Sequence, residues 1–429
     1  MAKSKFSDEL VFELPETAPV GSVLYQEHLK LAGKSRMTAF AGYLMPSWYS
    51  SISAEHKAVR QSAGIFDCTH MGVLEIAGAD ATGFLNLITT NKINNLAVGG
   101  AQYSCILGAS GNVLDDIIIY RRAEDKFMMV VNAANEPKIK AYLEALKNNE
   151  VVIEADGASR KLNYKPEIRD MRDSNIGCDC RVGIALQGPV AMSVLAGVVE
   201  DKKVQERIEK LGFFQFVETA VYGIECLVSR TGYTGAKIGF ELFVHPAKAT
   251  QLWNKLVQDG KSFGLIPCGL GARDSLRIEA GLPLYGHELA GEFNISPFEA
   301  GCGWAVKLEK EFFIGKDAME QRARTYNMKV ARIELPGAKG IRPVRQNDGV
   351  LNKDGKCVGF CLSSAKAGEK QFALVYAIKK AIKEGETVGI YYLARSQGQI
   401  KQGRNKSVEK GQSLEADITG TVVSRFAKF

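Results

Sequence analysis

PCGLGARDSLRIEAGLPLYGHELAGEFNISPFEAGCGW, residues 267–304, is the stretch around which the chain is organised. Gly269 and Gly271 open a short helical stretch, and Arg273 and Arg277, four apart, fall on one face of it. Asp274 is expected in the first turn, where a carboxylate suits the helix N-terminus, and Gly281 is placed to end the helix. Two guanidiniums on one turn, beside Glu279 and with Leu276 and Ile278 between them, leave two readings. Either they line a cavity that orders an anion or a planar polar ring, or they sit on a surface helix in ion pairs worth little each.

Composition sets the frame for both readings. The chain has 429 residues, 46% apolar and 24% charged, an ordinary globular composition spread over about two to four domains. The first residues, MAKSKFSDELVFELPE, are charged early and lack an apolar core of signal-peptide length. No run approaches the roughly 18 apolar residues of a membrane span, so a cytoplasmic protein with no membrane partner is expected. Nine cysteines, with Cys178 and Cys180 as a single CxC, predict reduced structural thiols and no metal site. A net charge of +7 suits acidic partners but is too diffuse to argue for nucleic acid.

Upstream, the pattern alternates helix and strand. LYQEHLKLAG reads as a helix closed by Gly33, and SAEHKAVRQSAG as another with Ser53 as its N-cap. His70, near Asp67, reads first as a hydrogen-bonded structural group. AQYSCILGASGNVLDDIIIYRR reads as a β-hairpin with its turn in Ala109–Gly111, which places Asp115 and Asp116 inside an Ile-rich strand. Successive strand side chains point to opposite faces, so these carboxylates are not expected to share a proton as a dyad. Asp116 falls on one face with Leu114, Ile118 and Tyr120. A carboxylate there is costly unless it is paired or lines a site, which makes it a functional candidate.

Residues 154–181 form a polar insertion with no assigned role. Further on, Gly232, Gly235 and Gly239 allow a loop to approach a ligand closely, and Glu241 follows it on a strand. From about residue 330, short strands separated by turn signals predict a small β-barrel. A dinucleotide site at GLGARD is excluded, because the third glycine and a surrounding strand–helix–strand unit are missing.

The quoted stretch resembles the aminomethyltransferase (T-protein) family of the glycine cleavage system, whose pattern is GLGARD-x-LR-x-EAG-x-x-LYG followed by P-x-E-A-G-x-x-W. Arg273, Asp274, Arg277, Glu279, Tyr285, Gly286, Pro297, Glu299 and Trp304 match it. The resemblance runs back through Phe40, Gly42, Pro46, Tyr49, His56, Arg60, Asp67, His70 and the pair Asp115–Asp116. It departs at Tyr43, at Cys68–Thr69, in the loop GAKIG, and over much of the chain beyond residue 330.

The resemblance implies an α+β multidomain fold: two interleaved folate-binding α+β modules over residues 1–330 and a C-terminal β-barrel domain over 331–429, in a three-domain ring. It also implies tetrahydrofolate as cofactor and lipoylated H-protein as the partner that delivers an aminomethyl group, with release of ammonia. By motif position, Asp116 is the catalytic residue, at the N5/N10 edge of the folate. Glu241 binds the pteridine ring, Arg273 its opposite edge, and Tyr103 and Trp304 serve as aromatic walls. The departures leave an alternative: a related tetrahydrofolate-dependent demethylase or methyltransferase acting on a small N-, S- or O-methyl donor.

Overall fold

The computed structural model describes residues 18–150, 153–155, 158–160, 162–173, 177, 179–427 and 429. Cys178, one half of the CxC, and the polar lead-in 1–17 lie outside the described residues, as does part of the 154–181 insertion. The chain divides into two compact units. The first takes in residues up to Gly232 with 236–272 and 305–321; the second comprises 233–235, 273–304 and 322–429.

Two sheets dominate the first unit. One has five strands in the order Glu167–Asp170, Gly72–Ala77, Lys126–Val131, Val113–Ala123 and Ala101–Leu107. The other has six, in the order Phe216–Val221, Ile224–Ser229, Gly239–Val244, Val182–Gln187, Ala63–Cys68 and Leu265–Cys268. Each is apolar on both faces, which identifies it as a buried layer. On the six-stranded sheet, Phe240, Leu242 and Val244 pack with Trp253 and Leu256 of the Pro246–Gly260 helix. On the five-stranded sheet, Ile117 and Ile119 pack under Phe84, Leu85, Ile139 and Leu143 of the Ala81–Ile88 and Glu136–Lys147 helices.

The two inner faces meet through Val73, Tyr120 and Met128 on one side and Phe216, Leu227 and Phe243 on the other. Tyr120 contacts Phe216 and Phe243 edge to face, with ring centroids 5.7 and 5.4 Å apart. One face of the Val113–Ala123 strand therefore lies under helices, and the other looks across at the second sheet.

Residues 305–321 return to this unit and are pinned by Lys310. Its ammonium donates to the carbonyls of Asn86, Thr89 (2.6 Å) and Asn91 (3.1 Å), around the C-terminal end of the Ala81–Ile88 helix. Carbonyls left without helical partners gather there, and a cation suits them.

Several local expectations hold and some shift. Gly33 (φ 77°) and Gly281 (φ 81°) close the Tyr25–Ala32 and Leu270–Ala280 helices, and Gly111 (φ 77°) sits in the hairpin turn. The next helix is Ile52–Gln61, and its N-cap is Ser51, which accepts from the Ala54 N–H; Ser53 lies inside the first turn. Asp274 falls in the second turn of its helix, too far in to serve the N-terminus.

Leu114 is also corrected. The ladder with Ala101–Leu107 slips between the Ile106–Asp115 and Leu107–Val113 pairs, a β-bulge. Leu114 consequently packs with Ile117 and Ile119, on the face opposite Ile118 and Tyr120.

The second unit contains a closed barrel in the order Met328–Pro336, Lys370–Ile378, Cys357–Ala367, Gly349–Leu351, Thr387–Tyr391 and Ile418–Val423. Ile333, Val350, Val375, Val388 and Ile390 fill its core, as a small barrel with alternating side chains requires. The fold is thus α+β and multidomain with a C-terminal β-barrel. Among the described residues no helix is long and apolar enough to cross a membrane.

Candidate functional site

Asp116 owes its setting to strand register. The ladder between Val113–Ala123 and Lys126–Val131 pairs Ile118 with Val130, so its extension sets Asn132 opposite Asp116. Asn132 Nδ2 donates to Asp116 Oδ1 (2.9 Å), to the Asp116 carbonyl (3.1 Å) and to Asp115 Oδ1 (2.8 Å). Its backbone N–H donates to Asp115 Oδ2 at 3.0 Å, and Asn135 Nδ2 donates to Asp115 Oδ1 at 2.6 Å. Tyr103, paired across the hairpin with Ile118 and so on the Asp116 face, donates its hydroxyl to Asp116 Oδ2 at 3.1 Å.

The two carboxyls fall on opposite faces, as expected, but they are not isolated from each other. One amide, at the strand end, reaches both. Burial lifts both above the usual carboxylate range, and repulsion from Asp116 adds to the rise at Asp115, which reaches about 7. The pair consequently retains a proton close to neutral pH.

Further along the same face, Tyr120 leads to Glu241. The Tyr120 hydroxyl lies 3.5 Å from Thr231 Oγ1. Thr231 Oγ1 donates to Glu241 Oε2 and lies 3.0 Å from Ser229 Oγ. Glu241 shares its strand face with Phe243, which packs on Tyr120. Tyr103, Asp116 and Glu241 thus belong to one inter-sheet layer of the first unit: two from the five-stranded sheet, one from the six-stranded sheet.

Two of the glycines before Glu241 make room for a buried side chain. A Cβ on Gly232 would lie 2.1 Å from Gln187 Oε1, and one on Gly239 would lie 2.5 Å from the same atom. Gln187 is buried and donates to the carbonyls of Thr231 and Phe240, both at 3.2 Å. These two glycines make room for the side chain that fixes the loop.

In the second unit, the Arg273 guanidinium stands 4.9 Å over the Tyr233 ring, while Trp304 is 54% exposed. Arg277 resolves the choice between a ligand cavity and a surface ion pair in favour of neither. It is buried and donates to Glu288 Oε2 (2.6 Å), Asp274 Oδ1 (2.9 Å) and Ser363 Oγ (3.2 Å). All three of its nitrogens are bonded to protein, and with Glu288 it forms a buried structural pair.

Asp67 is likewise structural, with His28 hydrogen-bonded to it and His70 acting on it through charge. Asp67 accepts from Ser22 Oγ, His28 Nε2 and the Thr69 N–H, each at 2.7 Å, and the other His28 nitrogen meets Tyr49 Oη at 2.8 Å. Burial opposes ionisation, yet these donors and the neighbouring imidazoles hold Asp67 down to about 2. His70 is buried with its ring 5.7 Å from Phe40 and 6.3 Å from Tyr43.

Sequence reasoning missed Asn132, Asn135 and Thr231, which are polar but carry no motif of their own. The usable signal for Asn132 is its distance past the Glu124–Asp125 turn, which brings it back towards the acidic pair.

Residues 24–310 match the family model described as the GCVT N-terminal domain. An aminomethyltransferase from Halalkalibacterium halodurans is 42% identical over 284 residues, covering 66% of this chain and 70% of that protein. One from Desulfitobacterium hafniense (strain Y51) is 36% identical over 370 residues, covering 86% and 92%. Among solved structures, the glycine cleavage system aminomethyltransferase T from Bartonella henselae aligns with a TM-score of 0.74 and 28% identity, over 95% of this chain and 97% of that one. Tyr103, Asp116, Glu241, Arg273 and Trp304 all fall inside the matched segment. The chain belongs to the aminomethyltransferase family, the T-proteins of glycine cleavage.

Proposed function

We propose that this chain is a cytoplasmic aminomethyltransferase that moves a one-carbon unit from the aminomethylated lipoyl arm of H-protein to tetrahydrofolate, with release of ammonia. The observation that carries this reading is the polar lining of the inter-sheet layer. An acid–base carboxyl, Asp116, stands beside a tyrosine on one sheet, and a carboxylate acceptor, Glu241, stands on the other.

That donor and acceptor set fits a flat heterocycle rich in N–H groups. Such a ligand needs a fixed carboxylate to accept from it and an aromatic side chain beside it. Tetrahydrofolate, when bound, supplies the nitrogens that take the carbon.

Each residue then has a task. Glu241, oriented by Thr231, accepts N–H hydrogen bonds. Tyr103 and Asn132 each hold one oxygen of Asp116, leaving its remaining lone pairs for the ligand. Asp116 takes up and returns a proton at its carboxyl, and burial, which raises its pKa above the ordinary carboxylate value, favours the protonated form in that exchange. Arg273 and Trp304 enter the proposal as further folate contacts on motif position alone.

The methyl-donor alternative is not favoured, because the relatives described above are aminomethyltransferases. Fluorescence titration with tetrahydrofolate tests the binding half of the proposal. Glu241→Gln is expected to weaken affinity by about tenfold or more, the cost of removing a charged hydrogen-bond acceptor. Unchanged affinity would remove Glu241 from the site.

A further inference from the structure

Behind the acidic pair runs a second line of polar side chains that the proposed reaction does not use. After the strand Lys126–Val131, Asn132 leads into a short 3₁₀ turn, Ala133–Asn135, and then the Glu136–Lys147 helix. This path returns Asn135 and Lys138 to the fully buried Asp115. Lys138 Nζ donates to Asn135 Oδ1 at 2.9 Å, and Asn135 Nδ2 donates to Asp115 Oδ1 at 2.6 Å. Asn132 then joins Asp115 to Asp116. A cation, two amides and two carboxyls thus form one continuous line ending at Tyr103.

We propose that Lys138 and Asn135 are positioning residues that act through Asp115 to set the proton occupancy of Asp116. This rests on the reading of Asp116 as the acid–base group.

The direction of every bond supports the assignment. Lys138 can only donate, so it fixes the Asn135 amide with its oxygen outward and its N–H₂ towards Asp115. Asp115 receives three N–H bonds from Asn132 and Asn135, which favour its carboxylate. Asp115 in turn favours the Lys138 charge, which burial opposes, while Asp116 opposes the Asp115 charge.

The other charged groups nearby are already engaged. Glu136, the first residue of the helix, is held by Arg172 (3.2 Å) and Lys140 (3.4 Å). Lys140 also reaches Asp170 at 2.8 Å. Tyr142, on the same helix, donates to the Leu107 carbonyl at 3.1 Å. Lys138 is therefore the cation whose removal alters Asp115 through a defined path, from a partly buried position outside the apolar core cluster of this sheet.

The test compares wild type, Lys138→Met, Lys138→Gln and Lys138→Arg in two readouts. In the pH profile of folate-dependent ammonia release, Lys138→Met and Lys138→Gln are expected to move the acidic limb upward by about 0.5–1 unit, because losing a nearby cation makes the carboxyls harder to ionise. Lys138→Arg should return the limb to its wild-type position. In ligand-free protein labelled with ¹³C at the aspartate carboxyls, the Asp115 resonance, identified through Asp115→Asn, should titrate higher in the same two variants.

An unmoved carboxyl titration in Lys138→Met and Lys138→Gln would overturn the proposal. So would a moved titration with an unmoved acidic limb. If wild type releases no ammonia with folate, the aminomethyl reading falls, and the carboxyl titration alone decides whether Lys138 controls the pair.

Discussion

Asp116 and Asp67 show how differently two buried carboxyls can be used. Asp67 is surrounded by donors from Ser22, His28 and Thr69 and stays ionised, so its charge contributes to stability. Its folded pKa, about 2, lies below the ordinary 3.8. The stabilisation is therefore present above about pH 4 and is lost as pH falls towards 2. Asp67→Asn is expected to cost about 2 kcal/mol at pH 7, with the difference from wild type shrinking through that acidic window in urea unfolding. Asp116 has fewer donors and a carboxyl neighbour, and it keeps its proton to higher pH. Asp116→Asn is expected to bind tetrahydrofolate as wild type does while losing about 10²-fold or more in turnover, the size of a positioned acid–base contribution. Near-normal turnover in that variant would move catalysis elsewhere.

At the scale of elements, the hairpins account for both what the sequence revealed and what it concealed. The Ile-rich strand with its embedded Asp pair, the GASG turn and the late run of short strands were all legible, because period-two patterning and glycine turns are local signals. The two bulges were not legible. A simple two-residue turn at Glu124–Asp125 would set Asn132 against Ile117; the irregularity between Arg121 and Ala123 sets it against Asp116. The slip between Val113 and Asp115 likewise moves Leu114 to the other face. Bulges depend on how two strands meet, and neither strand alone encodes them.

The same local geometry predicts a pH effect. The Asp115 carboxyl, raised to about 7, stabilises the fold most below about pH 4 and progressively less as pH rises through 7. In urea unfolding at successive pH values, Asp115→Asn should gain stability relative to wild type between about pH 4 and 8. A flat difference would show that Asp115 titrates normally.

Arg277 belongs to this scale too, since it ties the Leu270–Ala280 helix to the Ser363-bearing barrel strand and to Glu288 within the second unit. The one-face spacing of Arg273 and Arg277 was visible in the sequence. That Arg277 is consumed by Glu288, eleven residues on, was not. Arg277→Met leaves Glu288 buried without its cation and should cost about 3–5 kcal/mol, measurable as a lowered unfolding midpoint. A change below about 1 kcal/mol would return Arg277 to the class of weak surface pairs.

Across the whole molecule, family membership rests on residues 24–310 and on a structural match that also covers the C-terminal part of the chain. The barrel closes around its own apolar core although the family pattern thins there, because alternation of inward and outward side chains needs apolar character more than particular residues. Both units belong to a protein whose proposed reaction can be followed directly. Its most direct test is ammonia release from H-protein carrying an aminomethylated lipoyl arm, followed with and without tetrahydrofolate while methylenetetrahydrofolate is measured in parallel. The account predicts release that requires both this protein and folate, with the methylene product appearing in step. Protein that binds tetrahydrofolate but gives no folate-dependent release would contradict it.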